Sequence, residues 1–184
     1  ATITVTTGGG RKPYDGTALT NAEITVEGVV NNEITDWKTT GSQIEVGSSK
    51  NRYTWTKTEA FKESNYNKVV ENLGDLEVYE SDGVASLSVT GYTGTYDAKA
   101  HTITGTDITG DVEGTDWTYQ YRTSEEAEWQ DEMPEFTDAG TYTVYVKASN
   151  KNYKDLTGQA DVVINKATIT VTTGGGRKPY DGTA

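Results

Sequence analysis

The chain contains no cysteine, a single histidine, a single methionine and three prolines among 184 residues. Without cysteine there is no disulfide framework, which fits a cytosolic protein or a secreted bacterial one that is stable without cross-links. One histidine and no cysteine leave too few ligands for a zinc site. They also leave little for nucleophilic catalysis, since a general base needs a nucleophile or acid placed beside it. No G-x-S-x-G or comparable nucleophile motif occurs. No apolar run approaches the roughly 18 residues that span a bilayer. No basic stretch followed by an apolar one opens the chain as a signal peptide would. Basic residues are the scarcer sign, 16 Lys and Arg against 28 Asp and Glu, for a net charge of −12. Such a surface repels phosphate backbones and anionic membranes, so neither nucleic acid nor membrane insertion is expected.

What the chain does have is threonine, 32 residues, with 20 glycines, 12 tyrosines and 4 tryptophans. Threonine and aromatics favour strands. Alternation at period two dominates. In 141–149, Tyr142, Val144, Val146 and Ala148 share one face, and Thr141, Thr143, Tyr145 and Lys147 the other. Trp117, Tyr119 and Tyr121 alternate with Thr118, Gln120 and Arg122, and the pairs Ile24/Val26 and Ile44/Val46 do the same. Short Gly, Asn and Asp punctuation between such runs is the pattern of sandwiches. The expected fold class is all-β, two tandem small antiparallel β-sandwich modules. Two stretches have a helical flavour. Ser124–Met133 has no clean apolar face and reads as a hairpin turning near Ser124–Ala127. Phe61–Leu73 carries Asn65, Tyr66 and Asn67, poor helix residues, and reads as a loop leading into a strand.

Repeats organise the chain. Residues 1–18, ATITVTTGGGRKPYDGTA, return without change as residues 167–184, a period of 166. The expectation is a longer tandem array, with one full period followed by the opening strand of the next. A fainter repeat lies inside the period. Tyr14-Asp15-Gly16 corresponds to Tyr96-Asp97-Ala98, and Ile3–Thr6 to Leu87–Thr90. Val46-Gly47 followed by Tyr53-Thr54-Trp55 corresponds to Ala139-Gly140 followed by Tyr142-Thr143-Val144. Asn65-Tyr66 corresponds to Asn152-Tyr153, and Leu76–Val78 to Val162–Ile164. The boundaries are therefore 1–82, 83–166 and 167–184, with the seam near Glu80-Ser81-Asp82-Gly83. Modules of this size bury only about 60% of their unfolded surface, so single aromatics weigh heavily. Only Asn165-Lys166-Ala167 separates the second module from the next opening strand, so neighbouring modules nearly touch and the particle is expected to be stiff. The tail 167–184 carries Ile169 and Val171 on one face and is expected to dock on a sheet, preferably one of another molecule.

Individual residues point to no chemistry. His101 reads as a plain strand residue. Gly8-Gly9-Gly10-Arg11-Lys12 lacks the G-K-[ST] ending of a phosphate loop and reads as a flexible connection. Asp107, Asp111, Glu113 and Asp116 lack calcium-loop spacing and read as solvated turns. Lys68 and Lys147 are weak candidates for an internal isopeptide bond, and none is expected. The catalytic, cofactor-binding and metal sites are expected to be empty sets. Trp37, Trp55, Trp117 and Trp129 are either core residues or a sugar-binding platform.

Thr137-Asp138-Ala139-Gly140-Thr141-Tyr142 resembles the D-x-G-x-Y tyrosine corner of immunoglobulin-like domains. RKPYDGTALTNAEITVEG, GSQIEVGSSKNRYTW, ESNYNK and GDLEV resemble the YDG-type repeats of bacterial surface proteins. GYTGTYDAKAHTIT, TYQYRTSEEAEWQDEMPEFTDAGTYTVYVKASNKNY and GQADVVI resemble the related mostly-β glycine-rich (MBG-like) module. The resemblance covers nearly the whole chain. It implies a non-catalytic spacer in a secreted or wall-anchored adhesin-like protein of Gram-positive bacteria, whose partners are neighbouring modules. The alternative it leaves is a module that binds a glycan or host protein through exposed aromatics. Ala98 departs from the Y-D-G pattern and puts that turn's conformation in question.

Overall fold

The structure, a computed structural model, describes residues 1–182. Those residues form an all-β fold of fourteen strands and one short 3-10 turn. In the first half the strands are β1 (Thr2–Thr7), β2 (Gly10–Pro13), β3 (Ile24–Glu27), β4 (Ile34–Thr39), β5 (Gly47–Lys50), β6 (Tyr53–Lys57), β7 (Lys68–Asn72) and β8 (Asp75–Tyr79). The second half holds β9 (Ser86–Thr90), β10 (Tyr92–Thr95), β11 (Gly105–Thr109), β12 (Thr118–Arg122), β13 (Gly140–Asn150) and β14 (Tyr153–Asn165). The sheets are small, in the orders β3-β1-β7, β2-β8-β5, β4-β6, β11-β9 and β10-β14-β13-β12.

Most strand pairings are antiparallel, as expected, and the sheets β11-β9 and β4-β6 are wholly so, while the other three sheets each contain one parallel pairing. β1 lies parallel to β7, β2 to β8 and β10 to β14. The reason is the chain path. β1 and β2 in the first half and β10 in the second each pair with a strand near the end of that half and run in its direction, while β9 pairs antiparallel with β11. Alternation then places one face inward. Ile3 and Val5 are fully buried, as are Leu76, Val144, Val146, Ala148 and Val162.

The two halves use one plan. Val5 pairs with Val26, and Leu87 with Ile108. Gly10–Pro13 pair with Leu76–Tyr79, and Tyr92–Thr95 with Val162–Asn165. The amide of Tyr14 donates to the carbonyl of Tyr79 and that of Tyr96 to Asn165, both at 2.8 Å. Val30 N–H donates to the Tyr66 hydroxyl, and Val112 N–H to that of Tyr153. Gly28 and Gly110 share a positive φ, 84° and 82°, and a Cβ on either would strike the carbonyl oxygen of Thr2 or Val84 at 1.9 and 2.3 Å. Only glycine fits both demands.

This pairing revises two of the expected correspondences. Val5, not Ile3, is the counterpart of Leu87. The slip of two preserves the face, which is why alternation did not reveal it. Ser49 pairs with Leu76 as Tyr142 pairs with Val162, so Ser49, not Tyr53, stands where Tyr142 does. The tyrosine corner belongs to the second half, where the Tyr142 hydroxyl donates to the Asp138 carbonyl at 3.1 Å. The Tyr142 ring is half-buried and stacks on Phe136.

Ala98 answers the question its sequence raised. It takes φ 63°, beside 76° at Gly16. The Asp97 carboxylate accepts the Lys99 N–H as Asp15 accepts that of Thr17, and these Asx-type bonds hold both turns. Turn and bridge also form at Ser124–Ala127, where Tyr121 and Gln130 exchange backbone bonds. Phe61–Leu73 contains the 3-10 turn Glu63–Asn65 and then β7.

One other expectation is corrected. Gly8 and Gly9 form a close-packed crossing rather than a flexible connection: a Cβ on Gly9 would lie 2.8 Å from the Asp75 carbonyl oxygen. The segment 166–182 has no strand pairing, and Ile169, Val171 and Tyr180 are 88%, 80% and 98% exposed. It docks on no part of its own chain, because the one slot its sequence fits is filled by residues 1–18. Thr183 and Ala184, the last residues of the expected opening strand, lie outside the described residues.

Candidate functional site

Three clusters of apolar side chains run along the molecule. One lies within the first half around Ile3, Val5 and Ile34, with Trp37, Trp55, Phe61 and Tyr66 packed on it. One lies within the second half around Val144, Val146, Val162 and Ile164, with Phe136 and Tyr142. The third straddles the seam. There Tyr14 and Val78, with Leu19 and Val46, meet Ala85 and Tyr153, with Ile108, Val112, Trp117 and Leu156.

The seam is built from strand ends. β8 delivers Val78 and ends at Tyr79. Two residues on, Ser81 N–H donates to the Asn152 carbonyl at 2.9 Å, and its own carbonyl accepts the Lys154 N–H at 3.1 Å. These bonds make an isolated parallel bridge between Ser81 and Tyr153 across the seam. Tyr153 is 4% exposed. Its ring meets Tyr14 edge-on at 5.4 Å and Trp117 at 5.1 Å. The edge-on contact with Tyr14 suits the ring quadrupoles, and Trp117 lies tilted at 38°. Trp117 in turn donates its Nε1–H to Asp111 at 2.8 Å.

The rim of the seam is polar. The Asn152 side chain accepts the Val46 N–H at 3.1 Å and donates to Glu45 Oε2 at 2.9 Å. Lys151 Nζ lies 2.7 Å from the same carboxylate oxygen. The Lys151 contact, then that of Asn152, holds the Glu45 carboxyl below its usual value. Burial first, then the Glu45 charge, pushes the Tyr14 hydroxyl up. Lys154 reaches Asp82 at 2.7 Å. Both are exposed, so this pair adds little stability.

The tryptophans lie in three separate places. Trp37 and Trp55 meet edge-on at 5.0 Å, Trp117 belongs to the seam, and all four are half-buried. Trp129 lines a groove of about 430 Å³ with Arg122, Glu125 and Tyr145. Arg122 and Lys147 lie over its ring at 4.4 and 5.0 Å, on the π surface a sugar would stack against. Tyr53 donates to Glu71 at 2.9 Å, and burial, then this bond, raise its hydroxyl to about 12.

The remaining candidates are local structure. His101 makes one bridge, to Phe136, instead of sitting in a strand. Its ring stacks on Tyr92 at 4.3 Å and its Nε2 lies 2.8 Å from Asp97. Asp111 is engaged by Trp117, while Asp107 lies in β11. Among the described residues no cluster of three or more His, Asp or Glu side chains is poised around a metal-sized space. No helix among them is long and apolar enough to cross a membrane. Sequence reasoning missed Asn51. It is fully buried, at the position Val144 holds in the second half, and donates to the Gly8 and Asn21 carbonyls at 2.9 and 2.8 Å. Its signal was a polar residue where alternation calls for an apolar one. Compared with known proteins, the chain matches no family model and no curated protein.

Proposed function

We propose that this chain is a non-catalytic structural repeat, a stiff spacer unit of a bacterial cell-surface or secreted adhesin-like protein. The observation that carries this reading is the return of residues 1–18 as 167–184, directly after the strand that ends the period. The seam supports it. A buried cluster, a backbone bridge and a polar rim tie the halves together over a six-residue connection, residues 80–85. Stiffness follows, because bending the seam exposes Tyr153 and Val78. Extracellular location and the Gram-positive setting come from the resemblance of the Y-D-G and tyrosine-corner segments.

The competing function, glycan or host-protein binding, needs an open aromatic platform. The dispersed tryptophans and the cations over Trp129 count against it. Small-angle scattering of the chain tests the reading. One elongated rigid particle is the expected outcome, and two independently tumbling lobes refute it. Saturable binding on a glycan array would move the assignment to the binding module.

A further inference from the structure

We propose that the two outer ends of this molecule are the halves of a second seam, formed between successive copies of the chain and built on the contacts of the internal one. The proposal rests on the spacer reading and names the partner and the residues through which it stacks.

The backbone argument is one of spacing. In the internal seam, Ser81 lies two residues after the end of β8 and bonds to the Asn152 carbonyl and the Lys154 N–H. Ala1 makes the same pair of bonds in the first half, to the Asn65 carbonyl at 3.1 Å and the Asn67 N–H at 2.7 Å. Two residues after the end of β14 comes Ala167, the repeat of Ala1. A copy that begins at Ala167 therefore meets β14 with the connection length that joins β8 to the second half.

The side chains agree. Tyr14 is 9% exposed inside the internal seam, while its counterpart Tyr96 is 41% exposed at the outer end of the second half. Val112 and Leu156 pack in the internal seam, while their counterparts Val30 and Val69 are 47% and 43% exposed on the first half. Apolar residues thus stand uncovered at both ends, at the positions that cover one another inside. The polar rim is repeated too. Asn65 replaces Asn152, and Asp138 and Ala139 replace Glu45 and Val46. Ser64 stands where Lys151 does, so the second seam lacks that ion pair.

The occupant is a copy of this chain, not its own first half. Ten residues of β1 and β2 and thirteen of β14 put the outer ends on the order of 75 Å apart at about 3.3 Å per residue. Only Lys166 lies between β14 and Ala167, so the tail cannot reach the slot that residues 1–18 fill.

The test uses a chain of two periods, residues 1–166 followed directly by 1–184, beside the single chain. In the two-period chain, the first copy's Ala139 amide exchanges with solvent about five- to tenfold more slowly than in the single chain, as expected for gaining one bond. Asn65→Ala in the second copy abolishes that protection. Tyr96→Ala in the first copy lowers the unfolding midpoint of the two-period chain and leaves the single chain's unchanged. Unprotected Ala139 together with a neutral Tyr96→Ala overturns the second seam. Scattering of the same sample separates that failure from failure of the spacer reading. A longer rigid rod without these contacts sinks only the seam, and two unconnected lobes per period sink the spacer.

Discussion

Replacing Tyr153 by phenylalanine removes one oxygen and isolates what the seam hydroxyl contributes. That oxygen accepts the Val112 N–H at 2.8 Å in a part-buried setting. Phenylalanine keeps the ring against Tyr14 and Trp117 but leaves the amide without its acceptor, at a cost of about 1–2 kcal/mol. Alanine also removes a ring that is 96% buried and its two aromatic contacts. The loss is then about 3–5 kcal/mol. With a urea slope of about 2 kcal/mol/M, Tyr153→Phe lowers the midpoint by roughly 0.5–1 M. Tyr66→Phe is the built-in comparison. Its hydroxyl accepts the Val30 N–H at 3.2 Å where solvent reaches the bond and donates to Glu33 Oε2 at 2.9 Å, so Tyr66→Phe loses two bonds, one of them to a charge, and its midpoint falls at least as far. Urea unfolding followed by tryptophan fluorescence, with Trp117 on the Tyr153 ring as reporter, reads both. A Tyr153→Phe midpoint equal to the parent's refutes the reasoning.

Ala98→Gly relieves a left-handed alanine and raises stability by about 1 kcal/mol, readable as a higher thermal midpoint; an unchanged or lower midpoint counts against the turn geometry. Gly16→Ala moves the other way, since its φ is 76° and a Cβ would lie 2.9 Å from Val112. Gly28→Ala and Gly110→Ala each destabilise strongly, and equal tolerance of both would contradict the shared plan. Glu45 supplies a pH test. Its folded pKa lies below the ordinary 4.5, so its contribution is complete above that value and is lost as pH falls through the folded one. Titrating stability from about pH 6 to about pH 3 should show a decline that Glu45→Gln reduces; an identical decline in the variant removes the seam rim from the account.

Much of this architecture could be read from residue order. Alternation in Thr141–Ser149 marked β13 and its buried face, and D-A-G-T-Y marked the tyrosine corner. The recurrence of Y-D and N-Y marked the two-fold plan. Strand pairing was less legible, because alternation says which face is buried but not which partner lies alongside. The two-residue slip between Ile3–Thr6 and Leu87–Thr90, and the parallel pairing of β1 with β7, both arise from long-range contacts. The same limit applied to the seam. Tyr14 and Tyr96 sit in equal sequence contexts, yet one is buried and the other exposed, because only the first has a second module packed against its ring. Asn51 escaped because its partners, the carbonyls of Gly8 and Asn21, are far from it in sequence.

Scattering from chains of one, two and three periods, joined as Lys166 to the next Ala1, bears most directly on the central claim. The account predicts a maximum dimension that grows by a constant increment, on the order of 75 Å per period, with the cross-section unchanged. An increment that shrinks with each added period, as for a flexible string of modules, would contradict it.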